Sequence, residues 1–308
     1  MEQQQALSSF WTGSLRWDAP MAEYCTMKAG GRAGAVVIAS GRDELTQLIR
    51  WLQQQNIRWR VIGRGSNILV RGQGYDGVLI VLGGDFCSIS SEAAGPNNRK
   101  NAIVRVGAGC SVAKCIGWTV QQNLAGLEFM AGIPGSIGGA VCMNAGAWGY
   151  EIGEIIEAVC FVDRQGQYHE VASLDLEFSY RRMQAKDAGL RDAVLVEALF
   201  TLQPGTQREI IATCREYVAK RKEKQPAGVG SAGCVFRNPP GDSAGRLIEA
   251  AGLKGLSRGE AMVSPKHANF IVNTGNASAE DILNLMHEVQ EKVFQASGIK
   301  LEPEVHIL

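Results

Sequence analysis

The stretch Met130–Gly149, M-A-G-I-P-G-S-I-G-G-A-V-C-M-N-A-G-A-W-G, constrains this chain more than any other. Glycine takes six of its twenty positions, and Pro134 stiffens the turn. Glycine admits positive φ and lets another group approach bare main chain, while proline removes one donor. Such a segment offers backbone N–H groups to an anion and a small apolar surface to whatever carries it. The anion could be a pyrophosphate. Tight packing of buried loops produces the same composition, so this stretch alone does not decide.

A second stretch agrees with the anion reading. Trp59–Ile68, W-R-V-I-G-R-G-S-N-I, places a short apolar strand directly before Gly63, Gly65, Ser66 and Asn67. It is not the dinucleotide fingerprint G-x-G-x-x-G, because the third glycine is missing and no clear helix follows. It is not a P-loop, because no Gly-Lys-Ser/Thr occurs. A nucleotide held by these two loops implies a fold other than Rossmann.

The 308 residues suffice for two or three domains and a substantial core. Balanced charge, 31 basic against 31 acidic residues, gives no global field toward nucleic acid. No apolar run approaches a membrane span. The N-terminus lacks a basic segment followed by an apolar core, so a signal peptide is not expected and the compartment reads as cytoplasmic. Eight cysteines stand at 25, 87, 110, 115, 142, 160, 214 and 234 without any C-x-x-C pair. They read as reduced, mostly buried hydrophobes, and no metal site is expected.

In chain order, residues 1–20 read as a loose lead-in anchored by Trp11 and Trp17. Val36–Ala39 reads as a strand and Asp43–Gln55 as a helix with Leu45, Leu48, Ile49 and Leu52 on one face. Strands are expected at Trp59–Ile62 and Val78–Leu82, an exposed hairpin loop at Ser88–Asn101, a strand at Ala102–Val106 and a helix at Val112–Gln122. Ile155–Val162 and Gln167–Val171 predict a hairpin, continued by strands Phe178–Arg182 and Val194–Leu202. Pro204 and Gly205 mark a boundary before a helix at Thr206–Glu223. A last helix starts at Ser278, capped with Asp281, and ends at Gly298. Lys300–Ile307 predicts a closing strand.

G-R-G-S-N-I-L-V at 63–70 with A-G-I-P-G-S-I-G-G-A-V at 131–141 resembles the flavin domain of the vanillyl-alcohol-oxidase (PCMH-type) superfamily. Adding M-N-A-G-A-W-G-Y-E at 143–151, S-Y-R at 179–181, G-S-A-G-C-V-F-R-N-P at 230–239 and L-E-P-E-V at 301–305, the chain is similar nearly end to end to the UDP-N-acetylenolpyruvoylglucosamine reductase family. The resemblance implies an α+β fold: a two-part FAD-binding domain, 1–85 with 299–308 and then 86–205, followed by a smaller α/β substrate-binding domain at 206–298. The absence of a long tyrosine-bearing insertion between Leu202 and Lys222 resembles the shorter, second type of the family.

The resemblance also implies chemistry. Non-covalent FAD would meet Gly63, Arg64, Gly65, Ser66, Asn67 and Ile68, then Gly132, Ile133, Pro134, Gly135, Ser136, Gly138 and Gly139, and Asn144, Ala145 and Gly146. NADPH would reduce it, and hydride would pass to the β-carbon of an enolpyruvyl ether. Arg181 would bind the substrate carboxylate, and Glu304 would stabilise the enolate. Cys234 would protonate the α-carbon from a position where the family usually has serine. The exchange is chemically coherent, because a thiol titrating near ~8.5 releases its proton more readily than a hydroxyl. Arg182, Arg181's neighbour on a strand, would face the other way. Tyr180, Lys222, Lys224, Gly233 and Asn238 are the expected substrate contacts. The partner is a nucleotide sugar rather than nucleic acid or membrane, and the state a monomer or weak homo-oligomer.

Two other readings remain. One is another flavin oxidase or dehydrogenase of the superfamily; many of these tether flavin through histidine, and none lies between Met1 and Gln167. The other is a non-catalytic binder, favoured by Cys234 and disfavoured by Arg181 and Glu304.

Overall fold

Val194–Pro204 is an almost continuous apolar run, V-L-V-E-A-L-F-T-L-Q-P, and such a run suits a strand covered on both faces. In the computed structural model, which describes residues 2–92 and 101–308, it is the centre of an antiparallel ladder. Strand order is Tyr168–Ala172, Ile156–Val162, Val194–Pro204, Ala102–Gly107 and Ile89–Glu92, with Leu124–Ala125 pairing the end of Val194–Pro204. The expected hairpin is present, with Val159 opposite Val171. This ladder lies in the first of two units, Met1–Arg16, Ala35–Gly63 and Gly77–Ala219. The second unit is Trp17–Gly34, Arg64–Asp76 and Lys220–Leu308. Helices and mixed sheets together make the fold α+β.

In the first unit the helix Arg42–Gln54 buries the expected Leu45, Leu48, Ile49 and Leu52. Trp59–Ile62 runs parallel to Val78–Val81. The helix Val112–Gln121 begins at Ser111, whose hydroxyl accepts from Lys114 N at 3.1 Å. The lead-in is more ordered than its sequence implies. Glu2–Phe10 is a helix, its Leu7 is fully buried, and Phe10 lies 5.5 Å from the Trp51 ring. Leu15–Pro20 is a strand. Of the expected loop at Ser88–Asn101, Ile89–Glu92 instead pairs with the strand Ala102–Gly107, and residues 93–100 lie outside the described residues.

The second unit is built around the helix Ala279–Ser297, which buries Ile282, Leu285, Met286, Val289 and Val293. Met27, Leu69, Val235, Phe236, Ile271 and Leu301 share its core. Its capping box is present as expected: Asp281 N donates to Ser278 Oγ at 3.0 Å and Ser278 N to Asp281 Oδ2 at 2.9 Å. Gly298, at φ +70°, closes the other end. Ser278→Ala is expected to cost about 1 kcal/mol, seen as a lower urea midpoint at unchanged slope.

The closing strand is shorter than expected. Only His306–Ile307 pairs, in parallel, with Ile68–Leu69. Pro303 cannot donate to a ladder, and it makes a single isolated bridge, to Phe236, instead. Cys25, Cys110, Cys115 and Cys160 are buried, burial pushing the Cys25 and Cys115 thiols up to about 12, and no disulfide joins any of the eight cysteines. Among the described residues no helix is long and apolar enough to cross a membrane.

Candidate active site

The first glycine loop is a close-packed turn in the second unit. Gly65 sits at φ +66°, and a Cβ there would lie 1.8 Å from the Tyr24 carbonyl oxygen. Thr26 N donates to Gly65 O at 3.0 Å, and Thr26 Oγ1 to Ser231 O at 2.7 Å. Asn67 Nδ2 donates to Glu304 O at 3.1 Å, and His306 N to Asn67 O at 3.0 Å. The loop is therefore stitched to the C-terminal segment. Among the described residues, the main-chain N–H groups of Arg64, Gly65, Ser66 and Asn67 donate to no protein acceptor. Four successive donors without a protein partner are what an anionic ligand needs.

The second glycine stretch belongs to the first unit. Gly132 and Gly135 take φ +80° and +144°. Ser136 is 4% exposed, and its hydroxyl accepts from Gly139 N at 3.3 Å, starting the short helix Ile137–Cys142. A Cβ at Gly63 would lie 2.5 Å from Ser136 Oγ, which brings the end of the strand Trp59–Ile62 against this turn. Gly138 is a packing glycine: its Cβ would lie 2.8 Å from that of Ala108, and its N–H is spent on Ala108 O at 2.8 Å. Ile133 N is spent on Met130 O. Among the described residues, the N–H groups of Gly132, Gly135 and Ser136 donate to no protein acceptor. Glycine-opened main chain of this kind, in each loop taken by itself, suits an anionic group such as the diphosphate of FAD.

Asn144, Ala145 and Gly146 lead into a small hairpin, Gly146–Ala147 against Tyr150–Glu151. Its tip is Trp148–Gly149, both at positive φ (+60° and +87°), the conformation of a type I′ turn. A tryptophan there is a rare conformer, and its indole stacks on Tyr217 at 5.5 Å and 5°. Asn144 is 1% exposed.

The structure corrects the reading of Phe178–Arg182. Leu176–Ser179 and Arg182–Ala185 form a hairpin in which Ser179 faces Arg182, and Tyr180–Arg181 is its two-residue tip. Arg181 is thus in a turn, not at a strand end, at φ +57° with its guanidinium 4.8 Å from the Tyr180 ring centroid. Turn geometry, not strand alternation, separates Arg181 from Arg182.

In the second unit Cys234 and Glu304 lie on neighbouring extended segments. Cys234 bridges Phe270, Val235 N donates to Asn269 O at 2.9 Å, and Glu304 N donates to Val235 O at 2.7 Å. Asn269, 2% exposed, grips the Phe236 peptide at both ends: Oδ1 accepts from Phe236 N at 3.0 Å, and Nδ2 donates to Phe236 O at 2.8 Å. Gly233 takes φ +76°, and a Cβ there would meet nothing within 4 Å, so the main chain next to Cys234 borders open space. Burial lowers the pKa of the Arg221 guanidinium, while its electrostatic interaction with Cys234 opposes that shift. Asn238 Oδ1 accepts from Ala244 N at 3.1 Å. Lys222 and Lys224 are exposed on the last turn of the helix Gln207–Lys224, and the Lys222 carbonyl accepts from Lys266 Nζ.

Residues 33–172 match the family model "FAD binding domain", and residues 225–308 match "UDP-N-acetylenolpyruvoylglucosamine reductase, C-terminal domain". The UDP-N-acetylenolpyruvoylglucosamine reductase of Syntrophus aciditrophicus is 40% identical over 304 residues, 99% of this chain and 95% of that protein. The chain belongs to the UDP-N-acetylenolpyruvoylglucosamine reductase family. That of Alkalilimnicola ehrlichii is 40% identical over 297 residues, 96% of this chain and 95% of that one. The crystal structure of UDP-N-acetylenolpyruvylglucosamine reductase from Thermus caldophilus superposes with a TM-score of 0.79 at 34% identity, covering 97% of this chain and 99% of that one.

Membership of the reductase family makes the chain an FAD-dependent oxidoreductase. Both glycine loops fall inside the FAD-binding match, and Cys234, Asn238 and Glu304 inside the reductase C-terminal match. Tyr180, Arg181, Lys222 and Lys224 lie between the two. Sequence reasoning missed Trp148, Glu151, Arg221 and Asn269. Trp148 carries a usable signal, since a residue before glycine between short alternating runs marks a tight hairpin. Asn269 and Glu151 carry none, because each is defined by partners remote in sequence.

Proposed function

We propose that the protein catalyses NADPH-dependent reduction of UDP-N-acetylglucosamine enolpyruvate to UDP-N-acetylmuramate, a step of peptidoglycan precursor synthesis. The observation that carries the reading is the placement of Cys234 and Glu304 on adjoining segments, tied by the Glu304 N to Val235 O bond at 2.7 Å. Proton delivery next to a developing enolate calls for an acid and a polar partner, and these adjoining segments carry one each.

Arg64, Gly65, Ser66 and Asn67 in the second unit, and Gly132, Gly135 and Ser136 in the first, each offer main-chain N–H groups suited to FAD. The chemistry that reduced FAD would supply there is hydride donation to the enolpyruvyl β-carbon, with NADPH as its reductant. Arg181 pairs with the substrate carboxylate and draws electron density out of the double bond. Glu304, in its protonated form, donates a hydrogen bond to the enolate oxygen that strengthens as charge develops. Cys234 then transfers its S–H proton to the α-carbon, and the thiolate recovers a proton from solvent. Arg221 steadies that thiolate in the interval. Exposed Lys222 and Lys224 and the Asn238 amide serve the diphosphate end of the nucleotide sugar.

The test is anaerobic. NADPH should bleach the yellow protein, and adding UDP-N-acetylglucosamine enolpyruvate should restore its colour. Bleaching without restoration would leave a flavoprotein of this fold with another substrate.

A further inference from the structure

We infer that Asn144 and Glu151 form a positioning pair that sets Arg181, the carboxylate-binding residue of the function proposed above, on which the inference rests. Asn144 lies in the glycine-rich segment matched to the FAD-binding domain, yet its side chain turns into the protein. Nδ2 donates to Glu151 Oε2 at 2.6 Å and to Ser179 O at 3.2 Å, and Oδ1 accepts from Gly153 N at 3.1 Å. All donor and acceptor positions used are internal, in a residue 1% exposed.

Ser179 is the last residue before the Tyr180–Arg181 tip, so Asn144 holds one leg of the hairpin two residues from the guanidinium's backbone. Glu151 comes from the neighbouring hairpin, paired with Gly146. The clamp thus joins the base of one hairpin to the tip end of the other. Packing reinforces it: a Cβ at Gly153 would lie 2.7 Å from the Phe178 ring and 3.0 Å from Asn144 Oδ1. Two strained backbones meet here, Asn144 at φ +40° and Arg181 at φ +57°. A left-handed arginine is disfavoured by the close approach of its Cβ to the following carbonyl and persists only where its surroundings fix it. Asn144 bonds the Ser179 carbonyl and so fixes the approach to that turn.

The experiment is a cycle of Asn144→Asp and Arg181→Ala on the flavin-loaded protein. Aspartate keeps the shape and the acceptor for Gly153 but cannot donate to Ser179 O or Glu151. In the Arg181 protein it is expected to slow substrate-driven reoxidation of the flavin ~10–100-fold, the scale for a misplaced binding group. Flavin affinity, the visible spectrum and reduction by NADPH should not change. In the Arg181→Ala background the same substitution should change reoxidation less than about twofold, the non-additivity expected of residues acting as one unit. Asn144→Asp combined with Glu151→Gln removes the facing carboxylates and provides a folded comparison should the single variant be unstable; it too lacks a donor for Ser179 O and should remain slow. Equal losses in both Arg181 backgrounds would overturn the inference in favour of a purely structural role. A fall in flavin affinity or in the NADPH step would overturn it in favour of a cofactor contact. Wild-type reoxidation by Arg181→Ala would remove the role assigned to Arg181, and the inference with it.

Discussion

Cys234→Ala is expected to reduce substrate-driven reoxidation of the flavin ~10²–10⁴-fold, the range for a missing general acid, while NADPH still reduces the flavin at an unchanged rate. Cys234 is half-buried next to Gly233, where the main chain borders open space, and its extended segment adjoins that of Glu304. Cys234→Ser should retain substantial turnover, because a hydroxyl there can make the same transfer. The two variants differ from wild type by one atom, so a folding defect is not expected to separate them. Full activity in the alanine variant would take Cys234 out of the mechanism. Loss of the NADPH step in both would point to a disturbed flavin site instead.

Gly65→Ala is expected to destabilise the protein by ~2–5 kcal/mol, combining the left-handed backbone penalty with overpacking. The Cβ would sit 1.8 Å from Tyr24 O and 2.8 Å from Cys25 Cα, both main chain, so no side chain can rotate away. Either the turn or the segment before Thr26 must move, and the turn carries N–H groups offered to FAD. Gly252→Ala is the matched control. It has φ +70° in the same unit, but its Cβ would meet nothing within 4 Å, so only ~1–2 kcal/mol is expected. Urea unfolding of the flavin-free proteins gives both values, and FAD titration gives the affinity. Equal costs at the two glycines would show that the Tyr24 contact is unimportant.

Local rules made much of this fold readable. Gly65 and Gly132 are glycines because their backbones demand it, and the Ser278–Asp281 box announces a helix within four residues of sequence. The helix Arg42–Gln54 follows from its apolar spacing alone. Features defined across long separations were not readable. S-Y-R-R contains no glycine, proline or asparagine to mark a turn. The hairpin tip at Tyr180–Arg181 depends on Asn144, 35 residues before Ser179. Asn269 acts on Phe236 across 33 residues. The closing strand was overestimated because L-E-P-E-V-H-I-L alternates well, while Pro303 interrupts its pairing. At the N-terminus, the apolar contacts of Leu7 and Phe10 outweigh a polar local composition.

The central claim is tested most directly by the mass of the nucleotide sugar recovered after the purified protein is incubated with NADPH and UDP-N-acetylglucosamine enolpyruvate. The expected result is conversion to UDP-N-acetylmuramate, the substrate plus two hydrogens, in step with NADPH consumed. Recovery of unchanged enolpyruvate from a flavin-loaded protein that NADPH reduces would contradict the account.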